Sequence, residues 1–286
     1  MIKSFGEVDN DLINDVCNCF EENYDFNSLR EKYPFLDYNV LYSILYSTGE
    51  YKKEIYDLLY QEYIDDNKLL FISDTHYGSI YEDMRYTYDV FNFATANGIH
   101  IILHGGDIIE ANVKQRKGFN IIRQADYFIN KYPSDNSINT YALLGNHDYL
   151  AINRNEHVRD IMCSRDDIKI LGFKKAYFKW CGNKISLQHR IDNFKLNLPW
   201  MAEYISFKGG SHYYHAGEKK KGKSERIYIP AMCNDPICYC FNKDSVIKPG
   251  FLTAEIDDSN IVIINYSFDR GEIVKENEFV KVLKRK

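Results

Sequence analysis

The sequence predicts an α/β fold with a largely parallel sheet, preceded by a helical segment. Residues 9–66 have helical periodicity. From residue 69 onward, short apolar runs alternate with helical segments, as in successive βαβ units. The last part of the chain holds several short strand-like segments instead. We therefore expect a helical appendage at residues 1–66 and one large domain at residues 67–286, sizes that suit a chain of 286 residues.

The appendage is expected to contain three helices. The first begins near Asp9 or Asp11, either of which could cap it. The second is predicted at 38–46 and the third at 51–64. Two helices around Gly49 also fit a helix-turn-helix. The segment is acidic, however, which favours a helical appendage packed on the main domain.

The predicted main domain begins with the strand 69–72, a continuous apolar run typical of a strand buried on both faces. Helices and strands then alternate, which predicts parallel pairing with right-handed crossovers. They lie at 81–97, 99–103, 119–132 and 140–144. Further short strands are predicted at 169–171, 176–180, 184–188 and 204–207. The segments 226–230, 251–257 and 260–268 are expected to form a second sheet.

Polar residues suited to metal binding follow five of these strands. Open α/β sheets bind ligands at the carboxyl ends of their strands. Asp74 and His76 are two residues apart, so in an extended segment both side chains point to the same side. The other four sets, in chain order, are His104-Gly105-Gly106-Asp107 with Glu110, Gly145-Asn146-His147-Asp148, His189, and Gly209-Gly210-Ser211-His212 with His215 just beyond.

This order resembles the motif order of the calcineurin-like metallophosphoesterase superfamily over residues 69–215. The resemblance implies a four-layer sandwich of two mixed β-sheets flanked by helices. It also implies two divalent metal ions (Mn, Fe, Ni or Zn) and hydrolysis of a phosphomonoester or phosphodiester by a hydroxide that bridges them. The implied ligands are Asp74 and His76 at the first ion, Asn146 and His189 at the second, Asp107 between the two, and His212 at one of them.

The resemblance assigns a different task to the two residues that follow Asn146. His147 is implied to contact the phosphate and to protonate the leaving oxygen, rather than to bind metal. Asp148 is implied to orient His147 and to stabilise its protonated form.

The last motif departs from the family's G-H-x-H pattern. Aligned without a gap, Gly210 replaces the first His, and His212 takes the position of the last, which binds the first metal in the family. The second site would then lack one ligand, unless a water or His215 fills it. Alternatively, His212 is the first His and the loop is remodelled. We favour the ungapped alignment because the strand at 204–207 runs directly into Gly209.

Other polar residues near the motifs have simpler interpretations. We expect His104 to have a structural role and Glu110 to be a charge at a helix N-terminus. Arg154 and Arg190 could contact a phosphate or form ordinary salt bridges.

Composition limits the possible partners. The net charge is -5 and the pI is about 5.9, so no general basic field attracts nucleic acid. A nuclease of the same superfamily is therefore possible but not favoured, and the lysine-rich run 219–223 is interpreted as a solvated loop. A non-catalytic scaffold that kept the fold is the other alternative.

The chain is expected to be cytoplasmic. It has seven cysteines, an odd number whose spacing suits free thiols, although three of them (Cys233, Cys238 and Cys240) could form a zinc corner. No signal peptide is recognisable, and no apolar run approaches the ~20 residues that a membrane helix needs.

Overall fold

The computed structural model describes residues 8–23, 26–36, 40–41, 44, 63–111, 118–173, 175–189, 205–212, 215–217, 225–234, 248–257 and 260–282. Its helices are α1 (Asn10–Asn23), α2 (Phe26–Lys32), α3 (Met84–Ala96), α4 (Ile121–Lys131), α5 (Asn146–Arg154) and α6 (His157–Met162). Its strands are β1 (Tyr63–Ile64), β2 (Lys68–Ile72), β3 (Ile101–His104), β4 (Asn139–Leu144), β5 (Ile168–Phe173), β6 (Lys175–Trp180), β7 (Asn183–His189), β8 (Ile205–Gly209), β9 (His215–Gly217), β10 (Glu225–Tyr228), β11 (Gly250–Asp257), β12 (Asn260–Asp269) and β13 (Glu272–Val282).

The strands form two mixed sheets. The first has seven strands in the order β13-β12-β11-β2-β3-β4-β5, in which β2 to β5 are parallel and β11 to β13 antiparallel. The second has six strands in the order β1-β6-β7-β8-β10-β9. The predicted βαβαβ order and the fold of two mixed sheets flanked by helices are confirmed.

Strand β2 shows how the layers are held together. Its alternate residues Leu70 and Ile72 pack in a core shared with helices α3 to α6. Leu69 and Phe71 point to the opposite face, into the core between the two sheets. Because both faces of β2 are buried, its sequence is apolar throughout rather than alternating.

Two expectations about these elements were wrong. The segments 251–257 and 260–268 belong to the first sheet, because β11 pairs antiparallel with β2 rather than with a strand of the second sheet. The end of the predicted third helix is a strand, since Tyr63 and Ile64 pair in parallel with Lys179 and Trp180 of β6. Residues 51–62 of that prediction lie outside the described residues.

The appendage contacts the first sheet. In α2, the Arg30 guanidinium donates to the Ile170 carbonyl of β5 at 3.2 Å. Within the appendage, the Tyr33 hydroxyl, just after α2, donates to the Asp15 carboxylate of α1 at 2.6 Å. Of the predicted second helix at 38–46, residues 40, 41 and 44 are described and are helical. The division of the chain at residues 66 and 67 stays a prediction. Among the described residues, no helix is long and apolar enough to cross a bilayer.

We expect Phe71→Ala to lower the free energy of unfolding by about 3–5 kcal/mol, because it leaves a cavity between the sheets. Phe71 is fully buried and stacks on Phe207 at a ring-centroid distance of 3.8 Å. Phe35→Ala is the matched control; this ring is 42% exposed, so we expect at most about 1 kcal/mol. Denaturant unfolding measures both, and equal losses would contradict this description of the core.

Candidate metal centre

The pairing of β2 with β3 continues beyond the ends of both strands. The Asp74 amide donates to the Gly106 carbonyl at 2.9 Å, and the His76 amide donates to the Asp107 carbonyl at 3.1 Å. The Glu110 amide returns to the Tyr77 carbonyl at 3.2 Å. These hydrogen bonds hold the loops after β2 and β3 against each other, so the side chains of Asp74, His76 and Asp107 share one edge of the sheet.

Two glycines let the ends of β4 and β8 come close to this pair of loops. A Cβ at Gly145 would lie 2.7 Å from Cγ of Asp107, and a Cβ at Gly209 would lie 2.7 Å from the Gly105 carbonyl oxygen. Both distances are shorter than a carbon atom tolerates, so any larger residue would push the junctions apart. Glycine is therefore required where β4 and β8 end.

The first group of candidate ligands is formed by Asp74, His76 and His212. Nε2 of His212 lies 3.2 Å from Oδ1 of Asp74, and Nε2 of His76 lies 4.0 Å from the same oxygen. The other oxygen of Asp74 accepts the Gly210 amide at 2.9 Å. Ligand atoms of the three residues lie within 4.8 Å of one another, so together they could hold a cation. This placement agrees with the ungapped alignment of the last motif.

Asp107 lies between this group and a second one. Its Oδ2 is 4.0 Å from Nε2 of His76 and 3.2 Å from Nε2 of His189, while its Oδ1 accepts the His147 amide at 2.8 Å. Oδ1 of Asn146 is 3.1 Å from the same Nε2 of His189. Ligand atoms of Asp74, Asp107 and His189 also lie within 4.8 Å of one another, so these three residues could hold a cation together.

The imidazoles have the orientation that metal ligands need. Nδ1 of His189 donates to the Gly105 carbonyl at 2.7 Å, which leaves its Nε2 lone pair facing Asp107. Nδ1 of His76 lies 3.0 Å from the Glu110 carboxylate, which leaves its Nε2 between Asp74 and Asp107. In proteins, metal-binding histidines usually donate their second N–H to a carboxylate or carbonyl, as Nδ1 of His189 does here. The site therefore fits a cation that would face these lone pairs.

Glu110, rather than Asp148, is the carboxylate that faces His147. Nδ1 of His147 lies 3.2 Å from Oε1 of Glu110 and also contacts the Glu110 carbonyl oxygen. Glu110 is 2% exposed and follows β3 in a described segment that ends at Ala111. Residues 112–117 lie outside the described residues, so the expectation of a helix N-terminal charge stays a prediction. The same carboxylate thus contacts the imidazoles of His76 and His147, which accounts for the third cluster of potential ligands, formed by these three residues.

The Asp148 side chain binds backbone amides instead of His147. Its carboxylate accepts the amides of Ile108, Ile109 and Gly145 at 3.0, 2.9 and 2.8 Å. The expectation that Asp148 orients His147 is therefore wrong: although adjacent in sequence, the two side chains leave helix α5 in different directions. Asp148 instead ties the loop after β3 to the start of α5.

His104 has the structural role that was expected. Its Nδ1 accepts the Gly106 amide at 3.1 Å, so the ring proton lies on Nε2 and is donated to the Thr75 hydroxyl at 3.0 Å. The Thr75 hydroxyl in turn donates to the Ile108 carbonyl at 3.1 Å. Burial lowers the pKa of His104 to about 3, so this ring is neutral at physiological pH.

The candidate ligands have an unusual backbone conformation. Asp74, His76, Asp107 and His212 have φ angles of 54°, 46°, 53° and 58°. Non-glycine residues rarely adopt this left-handed region, which costs roughly 1–2 kcal/mol per residue. Such residues tend to cluster at functional sites. Four of the seven described non-glycine residues with positive φ belong to this one cluster.

The carboxylates and imidazoles stabilise each other's charged forms. Burial opposes ionisation of Asp107 and Asp74, but neighbouring histidines hold the pKa of each carboxyl far below its ordinary range. Burial likewise opposes protonation of His189, but Asp107 raises its pKa to about 9. For Asp148, burial and the charge of Asp107 raise the pKa to about 6. The centre therefore pairs buried carboxylates with buried imidazoles at the edge where these loops meet.

The sequence matches the family described as calcineurin-like phosphoesterase over residues 67–242, more than half of the chain. The chain belongs to this family. The matched residues include all the candidate metal ligands described above. No curated protein matches the sequence significantly.

Solved structures that resemble this chain share little sequence with it. Vps29 from Chaetomium thermophilum has a TM-score of 0.44 at 10% identity and covers 77% of this chain and 100% of its own. An archaeal phosphodiesterase has a TM-score of 0.39 at 13% identity, covering 75% and 99%. The Plasmodium inner-membrane-complex anchor GAP50 has a TM-score of 0.49 at 12% identity, covering 77% and 90%.

Several other residues singled out in the sequence lie at the edge of the described structure or outside it. Arg154 donates from Nη1 to the Ala111 carbonyl at 3.1 Å, one residue beyond Glu110. His215 begins β9, where it pairs with Tyr228. Four residues or segments lie outside the described residues: Arg190, the run 219–223, Cys238 and Cys240.

We expect Asp148→Asn to lower the free energy of unfolding by about 1–3 kcal/mol. An amide keeps one acceptor oxygen but turns an NH₂ group toward backbone amides that also donate. Asp126→Asn, an exposed carboxylate on α4, is the matched control and should change stability by less than about 0.5 kcal/mol. Denaturant unfolding checks both, and an Asp148→Asn protein as stable as the wild type would rule out this structural role.

Proposed function

We propose that this phosphoesterase holds two divalent cations and hydrolyses a phosphomonoester or phosphodiester. The main support is the convergence of Asp74, Asp107 and His189 from three separate strand ends, with ligand atoms within 4.8 Å of one another. Unpaired buried carboxylates are strongly unfavourable, so a pair this close needs positive charge nearby.

The contacts among the candidate ligands support two cation positions. The first position is formed by Asp74, His76 and His212, and the second by Asn146 and His189. Asp107 lies between them, with Oδ2 near an imidazole of each position. When bound there, two cations would neutralise the charge of the phosphoryl group and lower the pKa of a water molecule.

His147 is proposed as the general acid. Its side chain is 22% exposed, whereas those of His76, His189 and His212 are 3%, 1% and 6% exposed. A substrate that approaches from solvent can therefore contact the His147 side chain more easily than those of the other three histidines. Since its Nδ1 faces Glu110, its Nε2 is the nitrogen available to give a proton to the leaving oxygen.

Glu110 supports this role electrostatically. Burial opposes protonation of His147, but Glu110 and Asp107 raise its pKa to about 10. Glu110 itself stays ionised, because contacts with His147 and His76 outweigh burial and lower its pKa to about 2. A buried carboxylate that favours the imidazolium form keeps a proton on His147 before the reaction.

Hydrolysis of p-nitrophenyl phosphate and bis-p-nitrophenyl phosphate tests the proposal directly. We expect turnover that depends on added Mn²⁺, Ni²⁺, Co²⁺, Fe²⁺ or Zn²⁺ and disappears with a chelator. The ratio of the two rates distinguishes a monoesterase from a diesterase. Bound metal with no turnover of any phosphate ester would instead support a non-catalytic scaffold.

We expect His147→Ala to lower kcat by about 10²–10⁴-fold, the usual effect of losing an acid catalyst. Metal content, measured by elemental analysis, should not change. His157→Ala is the matched control, because His157 lies exposed on α6 beside Asp160 and should leave kcat unchanged. Loss of metal together with activity in His147→Ala would show that His147 is a ligand instead.

A further inference from the structure

A cleft of about 680 Å³ lies between the appendage and helices α5 and α6. Pockets that bind small molecules usually have volumes of roughly 300–1,000 Å³. Pro34 and Phe35 of the appendage line one side, and residues of α5, α6 and the turn between them line the other. Building on the proposed function, we propose that this cleft binds the leaving group of the phosphate ester, and that this group carries a planar ring, as in a nucleotide.

Helix α5 connects the cleft to the candidate metal centre. His147 lies at the start of this helix and Arg154 at its end. The two residues lie about 10 Å apart along the helix axis. They also share one side of the helix, because residues at positions i and i+7 align. A general acid must lie beside the leaving oxygen. A leaving group whose oxygen lies at His147 would therefore extend along α5 into the cleft.

Arg154 is placed to bind the phosphate end of such a ligand. Its Nη1 donates to the Ala111 carbonyl at 3.1 Å, next to the Glu110 residue that contacts His147. Side chains of a helix lean toward its N-terminus, which is why the guanidinium lies back toward the centre. In the part of the chain that the structure describes, this carbonyl is its one hydrogen-bond acceptor. The remaining N–H groups of the planar fork can bind phosphate oxygens.

The Phe35 ring is placed to contact the ring of the ligand. It is 42% exposed, although it is a large apolar side chain. It packs edge-on against the buried Tyr33 ring at a centroid distance of 6.2 Å, and the Tyr33 hydroxyl is fixed by Asp15. The apolar side chains of Pro34 and Ile152 line the same cleft. An exposed aromatic ring held in one place suits the stacking of a nucleobase, whatever the base.

The charge of the cleft shows that both contacts are needed. Two arginines line it, but so do the acidic residues Glu156 and Asp160. The cleft as a whole is therefore close to neutral, and a general attraction for anions would not hold a ligand there. Selectivity would come from the Arg154 contact at one end and the Phe35 contact at the other.

A second cleft, of about 500 Å³ between α3 and α4, lacks this combination. It also has an exposed ring, Tyr88, and an arginine, Arg165. The guanidinium of Arg165, however, already donates to three backbone carbonyls and pairs with Asp167. Its donors are used within the protein, so this cleft serves as an internal comparison.

Ligand binding to the full-length protein, kept free of metal with a chelator, tests the cleft without relying on activity. AMP is the probe, because it has both a ring and a phosphate. Ribose 5-phosphate lacks the ring, and adenosine lacks the phosphate. Ligand-observed NMR titration should show roughly 5–150-fold weaker binding of ribose 5-phosphate than of AMP, the usual effect of one stacked base. Undetectable AMP binding, or equal affinity for the two phosphates, would overturn the assignment.

Single substitutions locate the two contacts. Phe35→Ala should weaken AMP binding by the same roughly 5–150-fold and leave ribose 5-phosphate binding unchanged. Tyr88→Ala is the matched control, because Tyr88 is a similarly exposed ring in the other cleft, and it should bind AMP like the wild type. Arg154→Gln should weaken AMP and ribose 5-phosphate alike, by about 10-fold or more, without changing adenosine binding. Equal AMP affinity in Phe35→Ala and Tyr88→Ala would contradict the proposal, even if Arg154→Gln does not fold.

The cleft and the proposed function fail separately. A protein that hydrolyses p-nitrophenyl phosphate with added metal, but binds AMP no better than ribose 5-phosphate, refutes the cleft alone. A protein in which Phe35→Ala weakens AMP binding, but which hydrolyses no phosphate ester with any metal, refutes the catalytic function alone.

Discussion

The structure depends on backbone pairing that continues where two parallel strands have ended. The amides of Asp74 and His76 donate to carbonyls in the loop after β3, and the amide of Glu110 donates back. This pairing makes the loops after β2 and β3 run side by side. Several of their residues have left-handed conformations that the surrounding contacts must hold in place. Close approach at Gly145 and Gly209 then brings the remaining junctions to the same edge.

Charge explains why so polar a centre can lie inside the protein. Asp74, Asp107 and Glu110 are each at most 3% exposed. Such burial is tolerable because each carboxylate lies beside imidazole or backbone N–H groups. The same contacts that stabilise the charges also fix the ring orientations. The contacts that hold the loops together therefore also position the candidate metal ligands.

The sequence predicted the parts of this arrangement that depend on local pattern. The apolar run of β2 identified a strand buried on both faces, and the order of motifs located the residues that the structure brings together. The partner of His147 could not be predicted in this way. Asp148 is the neighbour of His147 in sequence, but its side chain leaves α5 in another direction and binds backbone amides. The carboxylate that lies beside His147 belongs to Glu110, in the loop after β3. Likewise, strand-like patterns located β11 and β12, but not the sheet to which they belong. That depends on the antiparallel pairing of β11 with β2 and of β12 with β11, which periodicity does not encode.

The central claim is that acidic, amide and imidazole groups from separate strands form one centre for two cations. A crystal structure of the protein soaked in Mn²⁺, with anomalous data collected near the manganese absorption edge, tests it most directly. We expect two anomalous peaks on either side of the Asp107 carboxylate, about 3.5–4 Å apart. Peaks located elsewhere, or no peak within ligand distance of Asp74 and Asp107, would contradict it.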